Sequence, residues 1–171
     1  MSSLLNDIRC RFILLVVPAL LALAGCSVKT YPNDLPKNFL LNTVIHKSSS
    51  FRDTGLALDI HLLDARCETD LLGRVYVDDP KTEVGVPVDR PVFLDFIFVS
   101  HTAISGTVSA VRYQTVMTPR AGYLYDATVS YNKGIYNVVI TEKNRGGSAS
   151  RKIPRVPLES CKPGKTRGNS E

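Results

Sequence analysis

Runs in which apolar and polar residues alternate at every second position limit this chain's fold most, because that period belongs to strands. From Tyr123 to Tyr131, the residues Tyr123, Tyr125, Ala127, Val129 and Tyr131 share one face, and Leu124, Asp126, Thr128 and Ser130 the other. Leu56, Leu58, Ile60 and Leu62 alternate in the same way with Ala57, Asp59, His61 and Leu63. Val92 to Val99 is apolar at every position except Asp95, as expected of a strand covered on both faces. Residues 106–118 and 135–141 read as strands as well, and a short run from Gly73 to Asp78 carries Val75 and Val77. Pro119-Arg120-Ala121-Gly122 is a turn in which proline fixes one dihedral and glycine permits a positive one. Asn132-Lys133-Gly134 closes a hairpin. Runs and turns recur about every 8–15 residues, so the expected fold is all-β, an antiparallel β-sandwich of immunoglobulin-like or transthyretin-like kind. Residues 38–47 read as a strand or a single helical turn. Residues 144–150 read as flexible, and Ile153, Val156 and Leu158 as a last edge strand beside Pro154 and Pro157.

The first 25 residues follow a different rule. Arg9 and Arg11 precede an apolar run of twelve residues from Phe12 to Leu23, interrupted by Pro18. A bilayer-spanning helix needs about 20 apolar residues, so this run fits the core of an export signal instead. It ends in Leu23-Ala24-Gly25-Cys26, which resembles the bacterial lipobox. That resemblance implies cleavage before Cys26, diacylglycerol on its sulfur, and anchorage in a membrane. Ser27 in place of aspartate implies the outer membrane. Residues 26–38 read as a lipidated tether, kept extended by Pro32 and Pro36. Tyr31-Pro32 and Leu35-Pro36 are similar to the stretch that follows the lipidated cysteine in small outer-membrane lipoproteins. Residues 39–161 then form the domain, and 162–171 a disordered tail.

Removing 25 of 171 residues leaves 146, enough for one domain with a real core. Losing Arg9, Arg11 and Asp7 lowers the formal charge from +5 to +4, too little to indicate a nucleic-acid binder. Of four cysteines, Cys10 leaves with the signal and Cys26 takes lipid. Cys67 and Cys161 remain, and an exported chain is expected to join them in a disulfide.

Candidate chemistry is sparse. His46, His61 and His101 fall in three segments with no shared spacing, and neither Cys67 nor Cys161 has a second ligand beside it, so no metal or cofactor is expected. No Gly-x-Ser-x-Gly or Ser-x-x-Lys pattern occurs, and Asp78-Asp79 before Pro80 reads as a turn. Asp95 must face solvent, pair with an arginine, or belong to a site, with Arg90, Arg112 and Arg120 as candidate partners. Tyr123, Tyr125, Tyr131 and Lys133 mark a candidate binding surface, against which stands a core face with phenol tips reaching water. Ala121-Gly122-Tyr123-Leu124-Tyr125, then Lys133-Gly134 and a late cysteine, resembles the carboxyl-terminal motif of the membrane-bound C-type lysozyme inhibitors. That motif has serine where Ala121 stands, and a longer spacing to an aromatic pair before Lys-Gly. The resemblance implies lysozyme binding in the periplasm. The expected role is a membrane-anchored, non-enzymatic envelope accessory or assembly protein whose partner is another envelope protein or peptidoglycan. Lysozyme inhibition, and binding of or action on envelope glycans, are the alternatives.

Overall fold

The computed structural model describes residues 28–32, 34–45, 52–102, 107–132 and 135–161. Residues 1–27, which include the expected export signal and Cys26, with His46, Lys133 and residues 162–171, lie outside the described residues. Among those described there are nine strands: β1 (Phe39–Ile45), β2 (Arg52–Leu63), β3 (Thr69–Tyr76), β4 (Lys81–Val84), β5 (Val92–Thr102), β6 (Thr107–Met117), β7 (Tyr123–Asn132), β8 (Ile135–Asn144) and β9 (Ser150–Ile153). They form a five-stranded sheet in the order β4-β1-β7-β8-β9 and a four-stranded sheet in the order β3-β2-β5-β6. The fold is therefore all-β, a sandwich.

Alternation in the sequence becomes the two faces of each sheet. Leu58, Ile60, Leu94, Phe96 and Phe98 of one sheet pack against Phe39, Leu41, Tyr125, Ala127 and Val129 of the other in one buried cluster. β5 is flanked by β2 and β6, which explains why it is apolar on both sides. One pairing departs from the antiparallel expectation. β1 runs parallel to β7, from Phe39↔Tyr125 to Ile45↔Tyr131, and antiparallel to β4. Both β1 and β7 enter from the same end, where Asn38 accepts the Tyr125 amide at 2.8 Å and its side-chain amide makes two bonds to Val86. The chain between them travels through the other sheet, as a parallel pair requires.

The strands define two ends. At the loop end lie the β2–β3 turn and the connections 85–91, 118–122 and 145–149. They are tied by Asp89 N–H to Pro119 O at 2.7 Å and Arg145 N–H to Gly122 O at 2.9 Å. At the hairpin end, β5 turns into β6 and β7 into β8.

Both flanking segments belong to the sandwich. Residues 28–38 are extended, but from Lys29 they are fixed to the domain. Thr30 bridges Arg74 of β3 in parallel, with Arg74 N–H to Lys29 O at 2.8 Å and Tyr31 N–H to Arg74 O at 3.0 Å. Tyr31 enters the core and donates its hydroxyl to Gly85 O at 2.6 Å. Two glycines make room for this segment. A Cβ on Gly73, whose φ is 155°, would stand 2.5 Å from the Tyr31 Cα, and one on Gly85 would stand 2.4 Å from the Leu35 carbonyl. The stretch expected as a free tether is thus a structural closure of the β3 side.

The carboxyl-terminal segment closes the other side. The residues expected to be flexible form a tight turn instead, with Gly147 N–H to Asn144 O at 2.9 Å. β9 pairs β8 at Ile140↔Ile153 and ends at Ile153, so the expected edge strand stops before Val156 and Leu158. Val156 instead accepts the Val116 amide at 2.7 Å and donates to the Thr115 hydroxyl at 3.1 Å, along the free edge of β6. A single 3₁₀ turn, Leu158–Ser160, then leads to Cys161, which is bonded to Cys67 in the β2–β3 turn with Cα atoms 6.0 Å apart. This strap therefore crosses the loop end of the four-stranded sheet from one edge to the other.

Candidate functional site

The outer face of the four-stranded sheet carries the least ordinary chemistry in the described residues. Register places Arg74, Asp59, Asp95 and Gln114 in one row across β3, β2, β5 and β6. Two carboxylates stand directly opposite each other in that row, an arrangement that repels unless each is neutralised separately. They are. Arg74 forks onto Asp59, Nε to Oδ1 at 2.6 Å and Nη2 to Oδ2 at 2.7 Å. Its guanidinium is held protonated above its usual range by those bonds. Asp95 Oδ2 accepts Arg112 Nη1 at 3.0 Å and Gln114 Nε2 at 3.2 Å. The sequence left Asp95 with three candidate arginines, and Arg112 is the one that pairs.

Accounting for the row leaves two atoms over. Asp95 Oδ1 and His61 Nδ1 are buried and have no hydrogen-bond partner. The Asp95 side chain is 4 % exposed, whereas Arg112 is 58 % exposed, so the acceptor is set deep while its cation stays in solvent. His61 lies over Phe93 with ring centroids 5.4 Å apart. Burial lowers its pKa, against the opposing pull of Asp59 and Asp95, so the ring is neutral near pH 7. Phe93, Ala57 and Ile97 are buried beside the row, and Tyr76, Val99 and Val108 stand exposed toward the hairpin end at 56, 38 and 62 %. The face combines an apolar surround, a recessed acceptor and a rim of arginines.

Both oxygens of Asp59 are engaged by Arg74, and neither carboxylate lines any of the principal grooves of the described residues. Among the described residues no three His, Cys, Asp or Glu side chains gather as a metal site. His101 is exposed on β5, away from His61.

Of the two readings of the β7 tyrosines, the core face is the one the structure shows, and the candidate binding surface is not. Tyr125 and Tyr131 are each 2 % exposed, because their face of β7 is the inner one, and Tyr131 stacks with Tyr136 at 4.5 Å inside the sandwich. Tyr123 is half-buried under the Arg120 guanidinium, 3.8 Å from its ring centroid. Tyr123 begins β7 and Asn132 ends it, so ten extended residues, about 30 Å, separate Tyr123 from the hairpin that holds Lys133. The residues resembling the lysozyme-inhibitor motif therefore stand at opposite ends of one strand.

Two further features are charged but engaged. Glu142, buried beside Tyr125, accepts both Arg120 at 2.9 Å and Arg151, and a neighbouring bond runs from Arg120 N–H to the Tyr125 hydroxyl at 2.7 Å. Burial alone would raise the Glu142 carboxyl, but the two guanidiniums outweigh it and hold it below the usual range. On the outer face of the five-stranded sheet, a groove of about 340 Å³ runs between Lys37, Glu83, Asp126 and Lys143 over Leu40 and Leu124. Asp126 there already accepts Asn42 Nδ2 at 2.6 Å and Thr128 Oγ1 at 3.3 Å. Comparison of the chain with protein-family models, with curated proteins and with solved structures returns no match.

Proposed function

We propose that this chain is a lipid-anchored bacterial envelope protein. Its β-sandwich binds another envelope protein through the outer face of the β3-β2-β5-β6 sheet, without catalysis of its own. The anchor reading rests on Leu23-Ala24-Gly25-Cys26 at the end of the export-signal segment, and the outer membrane on Ser27. The observation that carries the binding reading is Asp95 Oδ1, a buried acceptor between Phe93 and Ile97 that no hydrogen bond satisfies, beneath the exposed Arg112 side chain that a partner can displace. An orphaned buried acceptor is costly, and a donor from a partner removes that cost only in the complex. The fitting partner presents an arginine, lysine or amide to Asp95, and apolar side chains to Tyr76, Val99 and Val108.

Photocrosslinking in living cells tests this. A photoreactive residue at 76, 99 or 108 is expected to capture one and the same protein, and a residue at 44 or 128 on the opposite sheet is not. Val99→Asp and Val108→Asp, which leave the core untouched, are each expected to reduce that capture by roughly tenfold. Adducts of peptidoglycan in place of a protein, or capture equal from both sheets, would overturn the reading.

A further inference from the structure

We infer that the free edge of β6 takes up, as an added strand, an extended and acidic segment of another protein. The edge adjoins the outer face proposed above, and its pairing does not depend on that face.

Backbone groups along β6 point alternately toward β5 and away from it, and the register with β5 runs unbroken from Thr102↔Thr107 to Val92↔Met117. Val116 N–H points away from β5, to Val156 O, and Gln114 O points the same way, to Arg155 Nε at 2.9 Å. Counting back by twos, the amides and carbonyls of Arg112, Ala110 and Val108 face outward too. They have no partner among the described residues, and Val108 to Arg112 are all exposed. The other sheet edges are guarded. Thr30 bridges β3, and β4 and β9 have four residues each. No proline or lysine guards Thr107–Tyr113, and its single charge, Arg112, is drawn to Asp95.

Beside this edge the second sheet stops short. β9 pairs β8 only from Ile140 to Lys143, so among the described residues no strand lies along Ile135 to Val139 on that side. Val111 faces inward there and is nonetheless 46 % exposed. A groove of about 470 Å³ opens between Tyr113 of β6 and Val138 of β8, walled by Ile153 and Pro154 and carrying Lys152 and Arg155. A strand added along β6 satisfies the outward backbone groups and lays alternate side chains over Val111 and Tyr113.

Charge decides the occupant. No aspartate or glutamate lines the groove, and neither Lys152 nor Arg155 has a carboxylate partner among the described residues. A second copy would bring Arg112, Lys152 and Arg155 against their own counterparts. Residues 162–171 of this chain carry Lys162, Lys165 and Arg167 against Glu171 alone. Both are basic where the groove is basic, whereas an acidic segment complements it.

Residue-resolved hydrogen exchange on the protein purified from its host tests this with two probe peptides, one alternating valine with glutamate and one alternating valine with lysine. The glutamate peptide at millimolar concentration is expected to slow exchange at the Val108, Ala110 and Arg112 amides by about tenfold. The Ser109 and Val111 amides, which face β5, are expected to stay unchanged, and the lysine peptide to slow none of the five. Lys152→Glu with Arg155→Glu is expected to exchange the two peptides' effects. Ala110→Pro, whose ring replaces an outward N–H, is expected to abolish the protection of Val108 and Arg112. No slowing by the glutamate peptide, or equal slowing by both, would overturn the inference. Protection of the same amides that grows with protein concentration and needs no peptide would overturn it in favour of a second copy.

Discussion

Single side chains here do work that their positions in the sequence do not announce. Gly73 exists to let the Tyr31 backbone approach β3, so Gly73→Ala is expected to destabilise the fold by roughly 1–3 kcal/mol through strain and displacement. Urea unfolding measures it, and a loss under half a kcal/mol would mean that the amino-terminal segment is not seated. Tyr31 supplies an independent reading of the same contact. Burial pushes its hydroxyl up to about 12, whereas an unfolded chain loses that proton from about pH 10. Its contribution is therefore full below pH 10 and is lost as the pH rises toward 12, and Tyr31→Phe is expected to flatten that part of the stability profile. At acid pH the order reverses. His61 is held below its ordinary 6.5 and Glu142 below 4.5, so each favours the fold at high pH. Stability should fall first below about pH 6.5 and again below 4.5, with His61→Gln removing the first step and Glu142→Gln the second. Asp59→Ala strands the Arg74 guanidinium, which is only 23 % exposed, and is expected to cost roughly 2 kcal/mol.

At the scale of elements, the strap across the loop end is the part most easily tested. It closes a loop of 94 residues between Cys67 and Cys161, for which chain entropy gives about 4–5 kcal/mol. Replacing both cysteines by serine should lower stability by that order and expose the Val116 and Val156 amides to hydrogen exchange before those of β2 and β5. Alternation made β2 and β7 legible, and a run apolar on both faces made β5 legible, because β2 and β6 flank it. β3 was seen only from Gly73, since a register shift between Ile60 and His61 puts Leu71 and Leu72 out of phase. β4 has four residues, too few to show any period. The candidate site was half legible. Asp95 broke an apolar run and stood out, but its meeting with Arg112, and that of Asp59 with Arg74, depend on a register joining residues 17 and 15 apart. The β7 tyrosines left two readings open, because tyrosine suits an inner strand face as well as a binding surface, and burial decided for the core face.

For the whole molecule, the two flanking segments act as clasps on opposite sides of one sandwich. The amino-terminal clasp carries Tyr31 into the core between the β3 edge and Gly85, and the carboxyl-terminal clasp bonds the β6 edge and then Cys67. From Lys29 onward the chain is fixed to the domain, so the lipid proposed at Cys26 would hold the sandwich close to a bilayer. The proposed position at a membrane depends on that lipid. The most direct measurement is the mass of the amino-terminal peptide recovered from the membrane fraction of the native host. The account predicts a peptide beginning at Cys26 and carrying diacylglycerol, with nothing before it. A peptide beginning elsewhere, or an unmodified Cys26, would contradict it.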